Sequence, residues 1–251
     1  MAKVFNSLPR QNLSERVVQQ IGLSIMRNDF KPGEALSSEP QLSLQFNVSR
    51  PIVREALKIL SAKGLIESRP KTGTRIRPRV EWNLLDPDVI GWLYEVGPDQ
   101  SFLDSLCEVR LMFEPMTARL AAVRATDDEI KTIEECYRRM EEGVSSPETY
   151  IPADLEFHSA IYAAAHNVML QKITATLATS LQVSRVVTSR LPGANLAAMA
   201  VHQAVMEAIR KRDEQAAEEA MRKLVILTTD DVHRALGYHT PADGESERGS
   251  S

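Results

Sequence analysis

The chain has 251 residues, 43% hydrophobic and 25% charged, with a net charge of −4. That is enough apolar material for two packed domains, and it excludes an intrinsically disordered chain. No run approaches the ~18–20 consecutive apolar residues of a membrane span, and the N-terminal stretch MAKVFNSLPR lacks the apolar core of a signal peptide, so a cytoplasmic chain with no membrane partner is expected. Residues 1–80 carry 14 Lys and Arg against 6 Asp and Glu, a balance of +8, whereas the remainder carries −12. A basic head on an acidic body suits a polyanion gripped at one end: the head displaces counterions from phosphates and the body is repelled. Charges that merely decorate a solvated surface would not cluster in this way. Cys107 and Cys136 are the only cysteines and have no metal-ligand spacing, which suits buried thiols in a reducing compartment.

Taken in order, Leu13 to Phe30 reads as a helix with Val17, Val18, Ile21, Ile25 and Met26 inward, stopped by Lys31-Pro32-Gly33. A short helix over Glu39–Phe46 should bury Leu42, with Leu44 and Phe46 as further candidates. Asn47-Val48 turns the chain, and Ser49 is a good N-cap whose hydroxyl can accept from free amides of the next helix. Pro51 near its first position costs nothing, because its missing N–H would be unpaired there anyway. That helix runs to Lys63 with Ile52, Ala56, Ile59 and Leu60 on the inward stripe. Gly64 ends it, Leu65–Ser68 is a strand, Lys71-Thr72-Gly73 a turn, and Thr74–Arg77 the return strand. The whole predicts a winged helix-turn-helix. Arg50, Arg54 and Lys58 recur every four residues on another face, where a recognition helix meets bases and phosphates.

Residues 81–98 form the expected linker. Trp82, Leu84, Leu85, Val89, Ile90, Trp92 and Leu93 are too apolar for a free connection, so a short helix over Pro87–Tyr94, packed against both domains, is expected. From Asp99 the pattern is helical throughout, over about 99–123, 127–142, 147–165, 168–190, 195–212 and 213–235. Breaks fall at Ala125-Thr126-Asp127, Gly143, His166-Asn167 and Leu191-Pro192-Gly193. The fold class is therefore mainly α: an N-terminal winged helix-turn-helix over 1–80, and a C-terminal all-α antiparallel helical bundle over 99–236. The tail, 237–251, has no apolar face and is expected to be disordered.

One constellation in the bundle carries chemistry. Asp154 and His158 lie at i and i+4 on one helical face and can share a metal or a ligand, and His202 on a later helix could supply a third donor. The bland reading is a surface or capping pair. His166 reads as a helix-end residue, and His233 and His239 as neighbours of the solvated tail. Arg110 is a charge inside an apolar run: either a structural partner of Glu114 or an anchor for a ligand carboxylate. A metal-dependent hydrolase would need a general base beside metal-bound water, and the nearest candidate, Glu156, points off the Asp154/His158 face. An architectural DNA-binding protein would have an unliganded bundle.

The run Leu36, Ser38-Glu39, Leu42, Phe46, Val48-Ser49-Arg50, Val53-Arg54-Glu55-Ala56-Leu57, Leu60, Gly64-Leu65-Ile66 and Gly73-Thr74 resembles the DNA-binding domain of the GntR superfamily. Glu108-Val109-Arg110, Glu114, Asp154, Phe157-His158, Asn167, His202, Ala208-Ile209 and Asp213 resemble the helical FCD effector domain of its FadR subfamily. The resemblance covers residues 11–236. It implies a ligand-responsive transcriptional regulator, not an enzyme, acting as a homodimer on a double-stranded palindromic operator. Ser38, Glu39, Ser49, Arg50, Arg54, Lys58, Lys71, Thr72 and Gly73 would contact DNA. Arg110, Asn167, Asp154, His158 and His202 would hold a small carboxylate effector. It also implies a divalent metal on Asp154, His158 and His202, for which zinc suits imidazole donors. Two departures stand out. The family's fourth metal ligand falls on Leu224, and a DNA-contacting Arg common after Glu39 is replaced by Pro40. The join Trp82–Leu93 resembles that of sugar-acid regulators, which points to an aldonate or a related acid and to a repressor that this acid releases.

Overall fold

A computed structural model describes residues 13–69, 73–189 and 191–238, and its contacts divide into two compact units, Met1–Val96 and Gly97–Ser251. The first unit contains α1 (Leu13–Met26), α2 (Glu39–Gln45), α3 (Arg50–Ala62), β1 (Ile66–Arg69), β2 (Gly73–Ile76), a 3-10 turn at Arg79–Glu81, and α4 (Pro87–Val96). β1 and β2 pair antiparallel with Ile66 opposite Ile76 and Arg69 opposite Gly73, forming the wing. Ala35 adds an isolated bridge to Arg75, a third partner for the wing that sequence periodicity does not reveal.

The inward residues of α1 are as expected: Val17, Val18, Ile21, Ile25 and Met26 are all buried. The helix nevertheless ends at Met26, not Phe30, because Asn28 adopts a left-handed φ of +60° and its N–H closes onto the Ile25 carbonyl. Asparagine tolerates that region because its short side chain avoids the usual steric cost. In α2 only Leu42 is buried, and Leu44 is 82% exposed. In α3 the buried stripe is Val53, Ala56, Leu57 and Leu60. Ile52 and Ile59 are only half-buried, so the inward face is turned from the expected one. Ser49 occupies the N-cap of α3 without a side-chain cap bond, and its backbone carbonyl accepts from Ile52 and Val53 instead.

The residues expected as a join belong to the first unit. α4 packs on α1, with Val89, Ile90, Trp92 and Leu93 buried. Lys63 at the end of α3 reaches Asp86 at 2.8 Å and Asp88 at 2.7 Å, and its ammonium sits over the Trp92 ring. Burial alone would lower the Lys63 ammonium, but hydrogen bonds to the two carboxylates hold it above its ordinary value. Gly64, at φ +76°, turns the chain just where the backbone of the join passes; a Cβ there would lie 2.5 Å from the Glu81 carbonyl oxygen. Gly64→Ala should therefore cost the ~1–2 kcal/mol of a left-handed L-residue plus the strain of moving that backbone. A lowered thermal midpoint checks this, and an unchanged one would contradict the close approach.

The second unit is a bundle of α5 (Gln100–Arg124), α6 (Asp127–Gly143), α7 (Pro147–Ala164), α8 (Val168–Thr188), α9 (Ala194–Arg210) and α10 (Glu214–Leu236). α5 lies along α10, α6 along α7, and α9 along α10, while α7 also packs on α8 and α5. Helix starts follow cap chemistry: Thr126 and Glu129 form a capping box, Asp213 caps α10, and Asn167 caps α8. Gly237, at φ +76°, ends α10, and the Tyr238 hydroxyl donates to the Pro98 carbonyl. The remainder of the expected disordered tail, with His239, lies outside the described residues, as do Lys71 and Thr72 of the wing turn. Cys136 is buried, but Cys107 is only half-buried, unlike the expectation for both thiols.

Candidate functional site

The outward face of α3 presents Arg50, Arg54 and Lys58, all exposed. Arg54 is braced from α2: its Nη2 lies 3.0 Å from Glu39 Oε2 and its Nε 3.4 Å from Oε1. That hydrogen bond holds the Glu39 carboxyl below its ordinary value and the Arg54 guanidinium above its own. Glu39 thus orients a basic side chain, which suits an acidic residue better than direct contact with phosphate. Ser38 is fixed in the α2 cap, where Gln41 Oε1 accepts from its N–H at 2.9 Å and its hydroxyl at 2.7 Å. Gly73 opens β2 at φ +79°, exposed beside the wing turn.

In the second unit α7 places Asp154 and His158 one turn apart, and α9 brings His202 to them across the bundle. All three are buried, and one donor atom from each lies within 4.8 Å of the others. His202 Nδ1–H donates to the Ala198 carbonyl at 2.8 Å, since a carbonyl can only accept. In the neutral imidazole Nε2 therefore keeps a lone pair, and it stands 3.0 Å from Asp154 Oδ1. Neither of these two atoms has an aligned hydrogen-bond partner. Two facing lone pairs in a buried site are costly unless a cation, whether a proton or a metal ion, lies between them. Phe157 packs edge-on against both imidazoles, at ring separations of 5.7 Å and 5.5 Å, and keeps water from this side.

Arg185 of α8, in the stretch SLQVSRVVTSR, also belongs to this group, although nothing in the sequence pattern marks it. It is buried, its Nε donates to Asp154 Oδ2 at 2.7 Å, and its Nη2 donates to His158 Nε2 at 3.2 Å. His158 Nδ1 faces the Tyr162 hydroxyl at 3.4 Å. Burial would raise the Asp154 carboxyl, but the Arg185 charge holds it far below the carboxylate range. Burial pushes the His158 imidazole down to about 4, with the Arg185 charge adding to the effect and Asp154 opposing it.

The stability consequence has a definite sign. Unfolded, His158 takes a proton near 6.5, and the folded chain refuses it until about 4. Stability is therefore full above that upper value and falls as pH drops through the window, because the unfolded state binds more protons there. Urea midpoints of the chelator-treated chain at pH 7.5 and pH 5 should show this loss, and H158Q should show a smaller one. Equal losses in both proteins would contradict the assignment.

Arg110 and Glu114 of α5 form a second buried pair beside this group. Arg110 Nε is 2.6 Å from Glu114 Oε1, and its Nη1 is 3.4 Å from the Thr228 hydroxyl. Burial would raise the Glu114 carboxyl, but the Arg110 charge holds it below its ordinary value. Arg110 thus makes the pair with Glu114 that the sequence offers. Asn167 is the N-cap of α8, with Oδ1 accepting from Met169 and Leu170 N–H groups. His233 is not a tail neighbour but buried, 3.3 Å from Asp104. Leu224, at the expected fourth-ligand position, is fully buried. A groove of about 340 Å³ between α7 and α8 reaches the group through His158 and Tyr162, and Ser159, Gln171, Thr174 and Gln182 line it with polar groups.

Comparison with known proteins now decides the family. Residues 13–76 match the family of bacterial regulatory proteins called gntR, and residues 105–226 match the FCD domain. The chain is 35% identical over 222 residues to the galactonate operon transcriptional repressor of Escherichia coli, covering 87% of this chain and 96% of that relative. The chain belongs to the GntR family. It is 31% identical to the HTH-type transcriptional repressor NanR of Cronobacter sakazakii, covering 86% of this chain and 83% of that one. Lar of Listeria monocytogenes shares the fold, with a TM-score of 0.62 at 16% identity over 91% of this chain and 99% of that one. McbR/YncC of Escherichia coli does so at a TM-score of 0.52 and 16% identity, over 88% and 97%. As a GntR-family member with an FCD domain, the chain is a DNA-binding transcriptional regulator responsive to a small molecule, not an enzyme. Consistent with this, Glu156, the one candidate base for a hydrolase, is exposed and paired with Arg139 at 2.5 Å. No helix among the described residues is long and apolar enough to cross a membrane.

Proposed function

We propose that this regulator is a repressor that holds a palindromic operator as a homodimer and releases it when a sugar acid binds beside a zinc ion on Asp154, His158 and His202. The observation that carries this reading is the orphaned pair, Asp154 Oδ1 and His202 Nε2, 3.0 Å apart and fully buried. The donor chemistry fits: two imidazoles and one carboxylate suit zinc, nickel or manganese, and one carboxylate offers too few oxygens for calcium. Leu224 supplies no donor, so Asp154, His158 and His202 would hold the ion with three protein ligands and leave room for an effector oxygen. When bound, the metal would act as a Lewis acid that receives the effector's carboxylate or 2-hydroxyl.

The chain's own residues do the rest. Ala198 fixes the His202 tautomer that leaves Nε2 as a donor, Arg185 orients the Asp154 carboxylate, and Phe157 walls the site from water. In the head, Arg50, Arg54 and Lys58 face the major groove, with Ser38, Ser49, Gly73 and the wing residues Lys71 and Thr72 against the backbone. Two heads are needed because one winged head reads only a few base pairs. The aldonate class is supported by the relatedness to the galactonate operon repressor. Elemental analysis of the full chain tests the metal. The native protein should carry a single divalent ion per chain, and H202A should carry none. A metal-free wild type, after zinc supplementation, would overturn the reading.

A further inference from the structure

We propose that Arg185 is the specificity-determining residue for the acid effector, and that metal binding is what releases its guanidinium to receive one. The inference rests on the metal reading above and extends it to a residue outside the ligand set.

A neutral imidazole has one lone pair, and on His158 it sits on Nε2, because Nη2 of Arg185 donates to that atom at 3.2 Å. A cation held by His158 needs the same lone pair. The two contacts exclude each other. Asp154 faces no such conflict: Oδ2 takes the Arg185 Nε at 2.7 Å while Oδ1 stands orphaned toward His202. A metal on Oδ1, His158 and His202 therefore leaves Arg185 anchored through Nε but deprives Nη2 of its acceptor. A buried charged donor without a partner is among the costlier states in a protein interior.

Charge balance points the same way. Without a metal, Asp154 neutralises Arg185 and Glu114 neutralises Arg110, so the interior holds two balanced pairs and nothing for an acid to answer. A divalent ion on two neutral imidazoles adds two positive charges that no remaining group in the cluster offsets. A carboxylate corrects both faults, since it brings negative charge and gives Nη2 an acceptor. A hydroxyl on the neighbouring carbon can then fill the metal's open side. The ligand class is a 2-hydroxy acid, bound only after the metal. Arg185, on α8, also ties the ligand to a helix that shares a groove with His158 on α7.

The test is calorimetric titration of the full chain, with and without zinc, using D-galactonate, glycolate as the smallest 2-hydroxy acid, and galactitol as the carboxylate-free control. The zinc-loaded wild type should bind the acids and not galactitol, and the chelated wild type should bind neither acid. In R185Q, whose amide can still donate to Asp154, zinc binding measured by competition with a chromogenic chelator should persist. Its acid affinity should fall about 10- to 100-fold, the loss of one charged hydrogen bond. R185K, which keeps the charge but not the fork, should fall between the two and guards against a folding defect in R185Q. Zinc-loaded R185Q binding acid like the wild type would overturn the role of Arg185 and leave the metal reading intact. Equal acid binding by chelated wild type would overturn the release by metal. Glycolate binding without D-galactonate binding would sink only the aldonate assignment above and support the inference. Failure of zinc to bind the wild type would overturn both.

Discussion

Asp154→Ala is expected to be among the most destabilising single substitutions in the helical domain, with a loss of ~3–5 kcal/mol in the metal-free chain. The reason is the charge left behind. Arg185 is buried, and its guanidinium would keep only a neutral imidazole as partner. The repulsion from Arg110 across the same interior would then go unscreened. Replacing both members, as Asp154→Asn with Arg185→Met, should cost less than the sum of the single changes, because a buried pair removed together leaves no orphaned charge. Denaturant titration of the wild type, D154N, R185M and their double variant gives the coupling directly. A wild-type midpoint for Asp154→Ala would mean that the carboxylate balances nothing.

The second large effect is on DNA. The double substitution Arg50→Ala with Arg54→Ala should weaken operator binding by ~2–6 kcal/mol per head if each side chain reaches a base edge. Folding should be untouched, since both residues are exposed. Glu39→Ala should weaken binding less, by loosening the brace on Arg54 rather than by losing a contact. Affinity of the wild type should also fall steeply with added salt, as counterion release requires. Fluorescence anisotropy on a duplex selected from a random library would measure all of these, and an unchanged affinity for the double variant would remove α3 from the major groove.

Local rules carried most of the fold. Caps at Thr126, Asn167 and Asp213 and the breaks at Gly143 and Pro192 place the bundle helices within a few residues of where periodicity puts them. The exceptions have local causes. α1 stops early at Asn28 because a single residue enters the left-handed region, which composition does not announce. The inward stripe of α3 is turned because apolar residues flank it on both sides, and only packing on α1 selects Val53 and Leu57 over Ile52 and Ile59. The site was legible where its parts share a helix or a family pattern: Asp154, His158 and His202. Arg185 was not, since its partners lie on α7, 27 and 31 residues earlier.

The central claim is that a cation on Asp154, His158 and His202 makes DNA release depend on an acid. Operator anisotropy of the full chain, titrated with D-galactonate in the presence of zinc or of chelator, tests it most directly. Coupling of this kind is typically ~1–3 kcal/mol, so the acid should weaken operator binding about 5- to 150-fold with zinc present. It should do nothing with chelator, or in H158A and H202A, although both variants still bind the operator. Release by D-galactonate of equal size in chelator, or in either histidine variant, would contradict the account.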